Sequence, residues 1–348
     1  MKDGRGIGVS GDRLLAMACA LMATLTLVAT GSKDTSASFT SLSANPVNLA
    51  TTLLVQPPAS QNNTSSGAAG LVAISWSATP TAPGAGHTLA YDVLRGPIGG
   101  PYSVIGSTAG LSFNDTPSSD GTYQYVVQAK ITGGGTFTSG NSAAKNGVSD
   151  RLAPTMSIAC NGAACAASWY SAAVSVSVSG TDAATGMGSV NRNVDAAGQV
   201  STSGATATFN VTGDSAGHIV QYFGTDAAGN AGSLASKTIK IDGTAPSAPT
   251  GLGAASTAGN PANIDVSWTA GTDALSGVAG YTVRWVQATT CPAATPANYP
   301  SSMNAGNVSS YNISPLTKNA MYCAYVVTSD NAGNASVASA VTGPTKAK

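Results

Sequence analysis

The phrase Thr225-Asp226-Ala227-Ala228-Gly229-Asn230 recurs as Ser329-Asp330-Asn331-Ala332-Gly333-Asn334. Each copy closes an aromatic, strand-like run, Tyr222-Phe223 in the first and Tyr325-Val326-Val327 in the second. An Asp followed closely by Gly-Asn makes a tight turn, because these residues favour turn geometry and Gly and Asn tolerate positive φ. The same turn after a similar strand, roughly a hundred residues later, implies repeated domains. The sequence is thereby limited to architectures of short strands and tight turns.

Composition agrees. Charged residues make up 9% of the 348-residue chain, the formal net charge is zero, Gly numbers 41, and there is no Glu. Ser, Thr, Ala, Val and Gly dominate, which favours strands and turns over helices. The length suits two or three domains. Nucleic acid is excluded as a partner because no cluster of Lys and Arg is present to neutralise phosphates. The neutral balance gives no reason to expect attraction to an anionic membrane surface.

Residues 1–37 read as a signal peptide or signal anchor. Lys2, Arg5 and Arg13 precede an apolar or small-residue run from Leu14 to Ala29, followed by small residues suited to cleavage. Any membrane contact is expected through this segment alone, if it is not cleaved. Residues 38–70 read as a Ser/Thr/Asn-rich linker, with a possible strand at Leu49–Val55 and linker sequence from Asn62 to Gly67.

From residue 71 the strand signals become regular. Val72-Ala73-Ile74-Ser75-Trp76, Tyr91-Asp92-Val93 and Tyr123-Gln124-Tyr125-Val126-Val127-Gln128-Ala129 all alternate. In residues 71–149 this pattern resembles a fibronectin type III domain, whose second strand carries a Trp and whose sixth carries Tyr-x-Tyr-x-Val-x-Ala. Residues 244–348 resemble the same family more fully. Trp268 answers Trp76, Tyr281 answers Tyr91, and Leu316 stands six residues before Tyr322, the family's tyrosine-corner spacing. The resemblance implies structural roles for Trp76, Trp268, Tyr123 and Tyr322.

Residues 150–243 differ. They resemble the bacterial Ig-like repeats of large secreted proteins, which end in a strand, an Asp-x-x-Gly-Asn turn, a last strand and an Asp-x-Thr-x-Pro hinge. That hinge stands here as Asp242-Gly243-Thr244-Ala245-Pro246 and is echoed at Asp150-Arg151-Leu152-Ala153-Pro154. Pro at such joints fixes φ and ends strand pairing, so short, semi-rigid linkers are expected. The whole is therefore an all-β chain of tandem Ig-like and fibronectin type III β-sandwiches after an N-terminal signal segment.

Four cysteines lie beyond the signal. Pairing Cys160 with Cys165 and Cys291 with Cys323 keeps each disulfide within one domain, as suits an exported protein. Zinc would want CxxC-type spacing and nearby His, which these cysteines lack.

No catalytic constellation is legible. His218 lies in a strand in phase with Val220 and Tyr222, His87 lies in a Gly-rich loop, and most of the acidic residues, all Asp, sit in turn sequences. Calcium is the one cofactor the residues suggest, with Asp182, Asp226, Asn230 and Asp242 as ligands at one end of the middle domain. The competing reading is that these side chains hydrogen-bond their own turns. Trp169, Tyr170 and Trp285 are candidate sugar contacts against a competing role in packing. The expected function is non-catalytic, a structural or adhesive stalk outside the cell with a protein or polysaccharide partner. The alternative is a carbohydrate-binding accessory protein associated with polysaccharide degradation.

Overall fold

The computed structural model describes residues 55–58 and 61–348. The signal segment 1–37 and the possible strand at 49–55, apart from Val55, lie outside the described residues. Among those described, Ile74–Phe113 and Gln124–Asn146 fall in one compact unit, while Thr64–Ala73, Asn114–Tyr123 and Gly147–Lys348 fall in another. The segment expected to form one domain at 71–149 is thus shared between the two units.

The first strands are β1 (Gln61–Gly67), β2 (Leu71–Trp76), β3 (Thr88–Gly96), β4 (Ser103–Thr108), β5 (Ser112–Asp115), β6 (Gly121–Thr132), β7 (Thr136–Thr138) and β8 (Lys145–Ser149). They form a three-stranded sheet in the order β1-β2-β5 and a five-stranded sheet in the order β4-β3-β6-β7, with β8 also on β6. The polar stretch Asn62–Gly67, expected as linker, is instead part of β1. A strand beside β2 is held by backbone hydrogen bonds and needs no hydrophobic alternation of its own. Within the first unit Trp76 and Tyr91 are buried and meet edge to face, with ring centroids 5.6 Å apart.

The next strands are β9 (Thr155–Cys160), β10 (Ala163–Ala164), β11 (Trp169–Tyr170), β12 (Val174–Thr181), β13 (Met187–Val194), β14 (Val200–Ser203), β15 (Thr206–Val211), β16 (Ser215–Asp226) and β17 (Ala235–Ile241). They make a four-stranded sheet β10-β9-β12-β15 and a five-stranded sheet β11-β17-β16-β13-β14. Val174, Val176 and Val178 alternate with Ser residues, so all three valines of β12 point inward and are fully buried. They pack with Val190, Val220, Tyr222 and Ile239 of the other sheet into one core. Each fully buried Val contributes about 1.5–3 kcal/mol relative to exposure.

The last strands are β18 (Thr250–Ala255), β19 (Ala262–Thr269), β20 (Val278–Gln287), β21 (Ser301–Gly306), β22 (Ser310–Leu316), β23 (Met321–Asp330) and β24 (Thr342–Lys346). A three-stranded sheet β18-β19-β22 faces a four-stranded sheet β21-β20-β23-β24. Between them lie Ile264, Val266, Trp268 and Ile313 against Tyr281, Val283, Ala324 and Val326. A second, smaller core of Tyr299, Cys323 and Tyr325 sits under the loop after β20. The described elements are thus almost wholly β and largely antiparallel, with β11 and β17 a parallel pair.

Candidate functional site

The two copies of the repeated turn sit at equivalent places, and each holds a joint in the chain. Asp226 accepts from the Asn230 backbone N–H at 2.8 Å and from Asn230 Nδ2 at 2.7 Å. Asp330 accepts from the Asn334 N–H at 2.7 Å and from Asn334 Nδ2 at 2.8 Å. Gly229 and Gly333 take φ of 97° and 95°, a conformation that strains any residue with a Cβ. Beyond each turn the strand pairs back through a single bridge, Thr225 with Ala231 and Ser329 with Ala335.

The Asn of each turn then reaches a hinge. Asn230 Nδ2 donates to the Asp150 carbonyl at 3.1 Å, and Asn230 Oδ1 accepts from Ala69 N–H at 2.9 Å. Asn334 Nδ2 donates to the Asp242 carbonyl at 2.7 Å. Both hinge aspartates are completely buried. Asp150 accepts from Leu152 N–H at 3.1 Å and Thr185 Oγ1 at 2.6 Å, and Asp242 accepts from Thr244 N–H at 3.1 Å and Ser276 N–H at 2.9 Å. The second hinge is also gripped by Asp214, which accepts from Gly243 N–H at 2.8 Å and Thr244 Oγ1 at 2.6 Å. Those hydrogen bonds hold the Asp214 carboxyl below its usual pKa.

A third aspartate completes each group. Asp182 accepts from the backbone N–H groups of Ala184, Thr185 and Gly186, and Asp273 from those of Leu275 and Gly277. The result is two acidic triads, Asp150-Asp182-Asp226 and Asp242-Asp273-Asp330, with one carboxylate oxygen from each member within 4.8 Å of the others. Sequence reasoning placed Asp182, Asp226, Asn230 and Asp242 together. Asp242 lies instead in the second triad, because a hinge aspartate folds onto the module that follows it. Asp150, Asp273 and Asp330 were missed as members. A signal was present, since Asp182-Ala-Ala-Thr-Gly186 and Asp273-Ala-Leu-Ser-Gly277 repeat one Asp-x-x-x-Gly spacing. The triads offer the oxygen ligands a hard cation takes, and these are the residues that could hold one. Their arrangement already has a role in hydrogen-bonding the turns and hinges.

The cysteines pair as Cys160–Cys165 and Cys291–Cys323. The second disulfide pins the loop after β20 onto β23, beside Tyr299. Tyr299 and Tyr325 have raised pKa values, caused mainly by burial.

The sugar candidates divide. Trp285 packs against the core of the last sandwich. It follows Tyr281 and Val283 in phase along β20 and is half-buried. Tyr170 packs against the middle core, and its hydroxyl accepts from Ala166 N–H at 2.7 Å. Trp169 is half-buried on β11, with Lys240 Nζ 5.8 Å from its ring centroid. Of the framework aromatics, Trp76 and Trp268 are core residues. The Tyr322 hydroxyl accepts from Thr317 N–H at 3.1 Å, which is the expected corner. The Tyr123 hydroxyl donates to the Ser119 carbonyl at 3.0 Å.

His218 bridges Asp195 Oδ2 through Nδ1 at 2.6 Å and the Gly213 carbonyl through Nε2 at 2.9 Å. Both partners only accept, an arrangement that favours a positive charge on the imidazole. Burial opposes that charge, but the hydrogen bonds to Asp195 and Gly213 and the Asp195 charge outweigh it, leaving the His218 pKa raised. The remaining histidine, His87, places Nδ1 3.1 Å from the Ala85 carbonyl in an exposed loop.

One further concavity lies on the five-stranded sheet of the middle module, a groove of about 370 Å³. Its lining includes Asn193, Gln199, Gln221, Phe223 and Leu234. None of these residues was expected from sequence as a binding residue.

No protein-family model and no curated protein matches the sequence. Among solved structures, the chain is similar to the FN1–FN3 domains of chicken CNTN1, at 16% identity and a TM-score of 0.33, covering 83% of this chain and 97% of that one. It is also similar to domains A168–A170 of titin, at 11% identity and a TM-score of 0.42, covering 84% of this chain and 97% of that one.

Proposed function

We propose that this chain is a non-catalytic extracellular or cell-surface stalk, structural and adhesive, built from modules at 71–149, 150–243 and 244–348. Export through the N-terminal segment fits the two disulfides, which persist in oxidising compartments. The observation that carries the reading is the hinge Asp242-Gly243-Thr244. It is bonded from the middle module by Asp214 and from the last module by Asn334 and Ser276. A linker held from both sides transmits force and fixes spacing, which a catalytic scaffold does not require.

The test is double electron–electron resonance on the mature chain with spin labels at Ser233→Cys and Ser309→Cys, one in each of the last two modules. A stalk gives one narrow distance distribution. A broad distribution overturns the reading. Fractionation of cells, with the N-terminus of the mature protein sequenced, tests the location outside the cell.

A further inference from the structure

The groove on the middle module has its own chemistry. It lies on the outer face of the sheet β11-β17-β16-β13-β14. Along β16 the buried Val220 and Tyr222 point inward, so Ile219, Gln221 and Phe223 form the outward row. Asn193 stands directly opposite Gln221 and Asn191 opposite Phe223. Asn191 is nearly fully buried and is fixed by hydrogen bonds from Nδ2 to Ser189 Oγ and Thr225 Oγ1, both at 3.4 Å. Its Oδ1 accepts from Gln199 Nε2 at 3.3 Å, which sets that side chain as one wall. Leu234, 62% exposed, forms an apolar lip.

The Gln221 side-chain amide has no hydrogen-bond partner among the described residues, and neither have Asn193 Nδ2 and Gln199 Oε1. The groove therefore presents uncharged donors and acceptors around the face of a half-buried Phe ring. No carboxylate lines it, and its one charged member, Arg192, holds its guanidinium 4.1 Å from the Phe209 ring centroid.

That combination fits one class of ligand. Hydroxyl groups donate and accept at once and so match amide pairs, while the C–H face of a sugar ring covers an aromatic face. A peptide would bind most readily by adding a strand to a free sheet edge. Here β16 is already paired on both sides, with β13 and β17, so an extended peptide gains no backbone partner in the groove.

We infer that this groove binds a neutral oligosaccharide chain, with Phe223 as the stacking surface and Gln221, Asn193 and Gln199 bonding its hydroxyls. The inference rests on the adhesive reading above and names its contact surface.

Affinity electrophoresis of the mature chain tests it, in gels containing β-glucan, xylan, mannan or glycol chitin, with polygalacturonate as the anionic arm. The expected result is retardation by at least one neutral polymer. Gln221→Ala should weaken it about tenfold, as loss of roughly 1.4 kcal/mol requires. Phe223→Ala should abolish it, and Trp169→Ala should leave it unchanged. Because Phe223 and Gln221 are both half-buried, each variant is checked for an unchanged melting temperature, and Gln221→Ala, which leaves the aromatic ring in place, decides the matter. No retardation by any neutral polymer overturns the inference, as does retardation that Gln221→Ala leaves intact. Retention by polygalacturonate alone, or capture of an extended peptide in the groove instead, overturns it equally. The spin-label distances are read without glycan, so the stalk reading fails or stands separately.

Discussion

Replacing Asn334 by Ala removes the side chain that joins a turn of the last module to the hinge before it. Three hydrogen bonds from Nδ2 are lost, to the Asp242 carbonyl at 2.7 Å, Asp330 Oδ2 at 2.8 Å and the Thr244 carbonyl at 3.4 Å. Asp242 is fully buried. Stripping the partner from a buried carbonyl costs about 1–3 kcal/mol, and a hydrogen bond to a carboxylate is worth roughly 1.5–3 kcal/mol. The two losses share one side chain and are not additive, so the expected cost is about 2–4 kcal/mol. For a module of about a hundred residues this lowers the melting temperature by roughly 10–20 °C. The assay is calorimetry of Asn334→Ala beside Asn230→Ala, with exposed Asn307→Ala as control. The loss in Asn334→Ala should exceed that in Asn230→Ala, because the Asp150 carbonyl keeps Gly70 N–H as a partner at 2.9 Å. In the spin-label experiment, Asn334→Ala should also broaden the distance between the last two modules. A melting temperature within about 2 °C of the parent, with unchanged distances, refutes the argument that the turn secures the hinge.

Reducing Cys291–Cys323, with 32 residues of separation, should cost roughly 3.5–4 kcal/mol by loop entropy, against about 2 kcal/mol for Cys160–Cys165 with a separation of 5, as urea melts of Cys→Ser pairs would read. The His218–Asp195 pair has a raised histidine pKa and a lowered aspartate pKa. Its stabilisation is therefore complete between about pH 4 and 6.5, fading as pH rises through the folded His218 value and as it falls through the folded Asp195 value. With Asp195 44% exposed, the effect should stay under about 1 kcal/mol, and urea melts across pH of His218→Asn should lack it. Since the triad carboxylates already accept N–H and O–H donors, millimolar calcium or a chelator should leave the melting temperature unchanged. A tight ion would instead add roughly 2.7 kcal/mol at a hundredfold excess over its Kd, a shift of about 10 °C or more.

Much of this architecture is legible in the sequence. Period-two alternation set β12 and β19, because one face of each strand must be buried and the other solvated. The repeated turn set the junctions, since Gly229 and Gly333 occupy a conformation that other residues strain to adopt. Proximity in sequence also gave the cysteine pairs. The strand at Gln61–Gly67 escaped notice because its polar residues are held by a neighbour's backbone and carry no period. Trp285 and Tyr170 could not be told from exposed aromatics, because strand phase decides burial only once the opposing sheet is known.

The sequence by itself therefore determined the class of object: antiparallel strands, repeated turns and disulfide-closed modules. These follow from local propensity and from residues near one another in the chain. Tertiary structure alone decided that Asp242 joins Asp273 and Asp330 rather than Asp182 and Asp226, and that an Asn at the end of one turn fixes a hinge 92 residues away. It also decided that Asn193, Gln199 and Gln221 surround one aromatic ring. Such groupings depend on which strands become neighbours, and strand pairing across long separations is set by the burial of the whole module, not by any local run of residues.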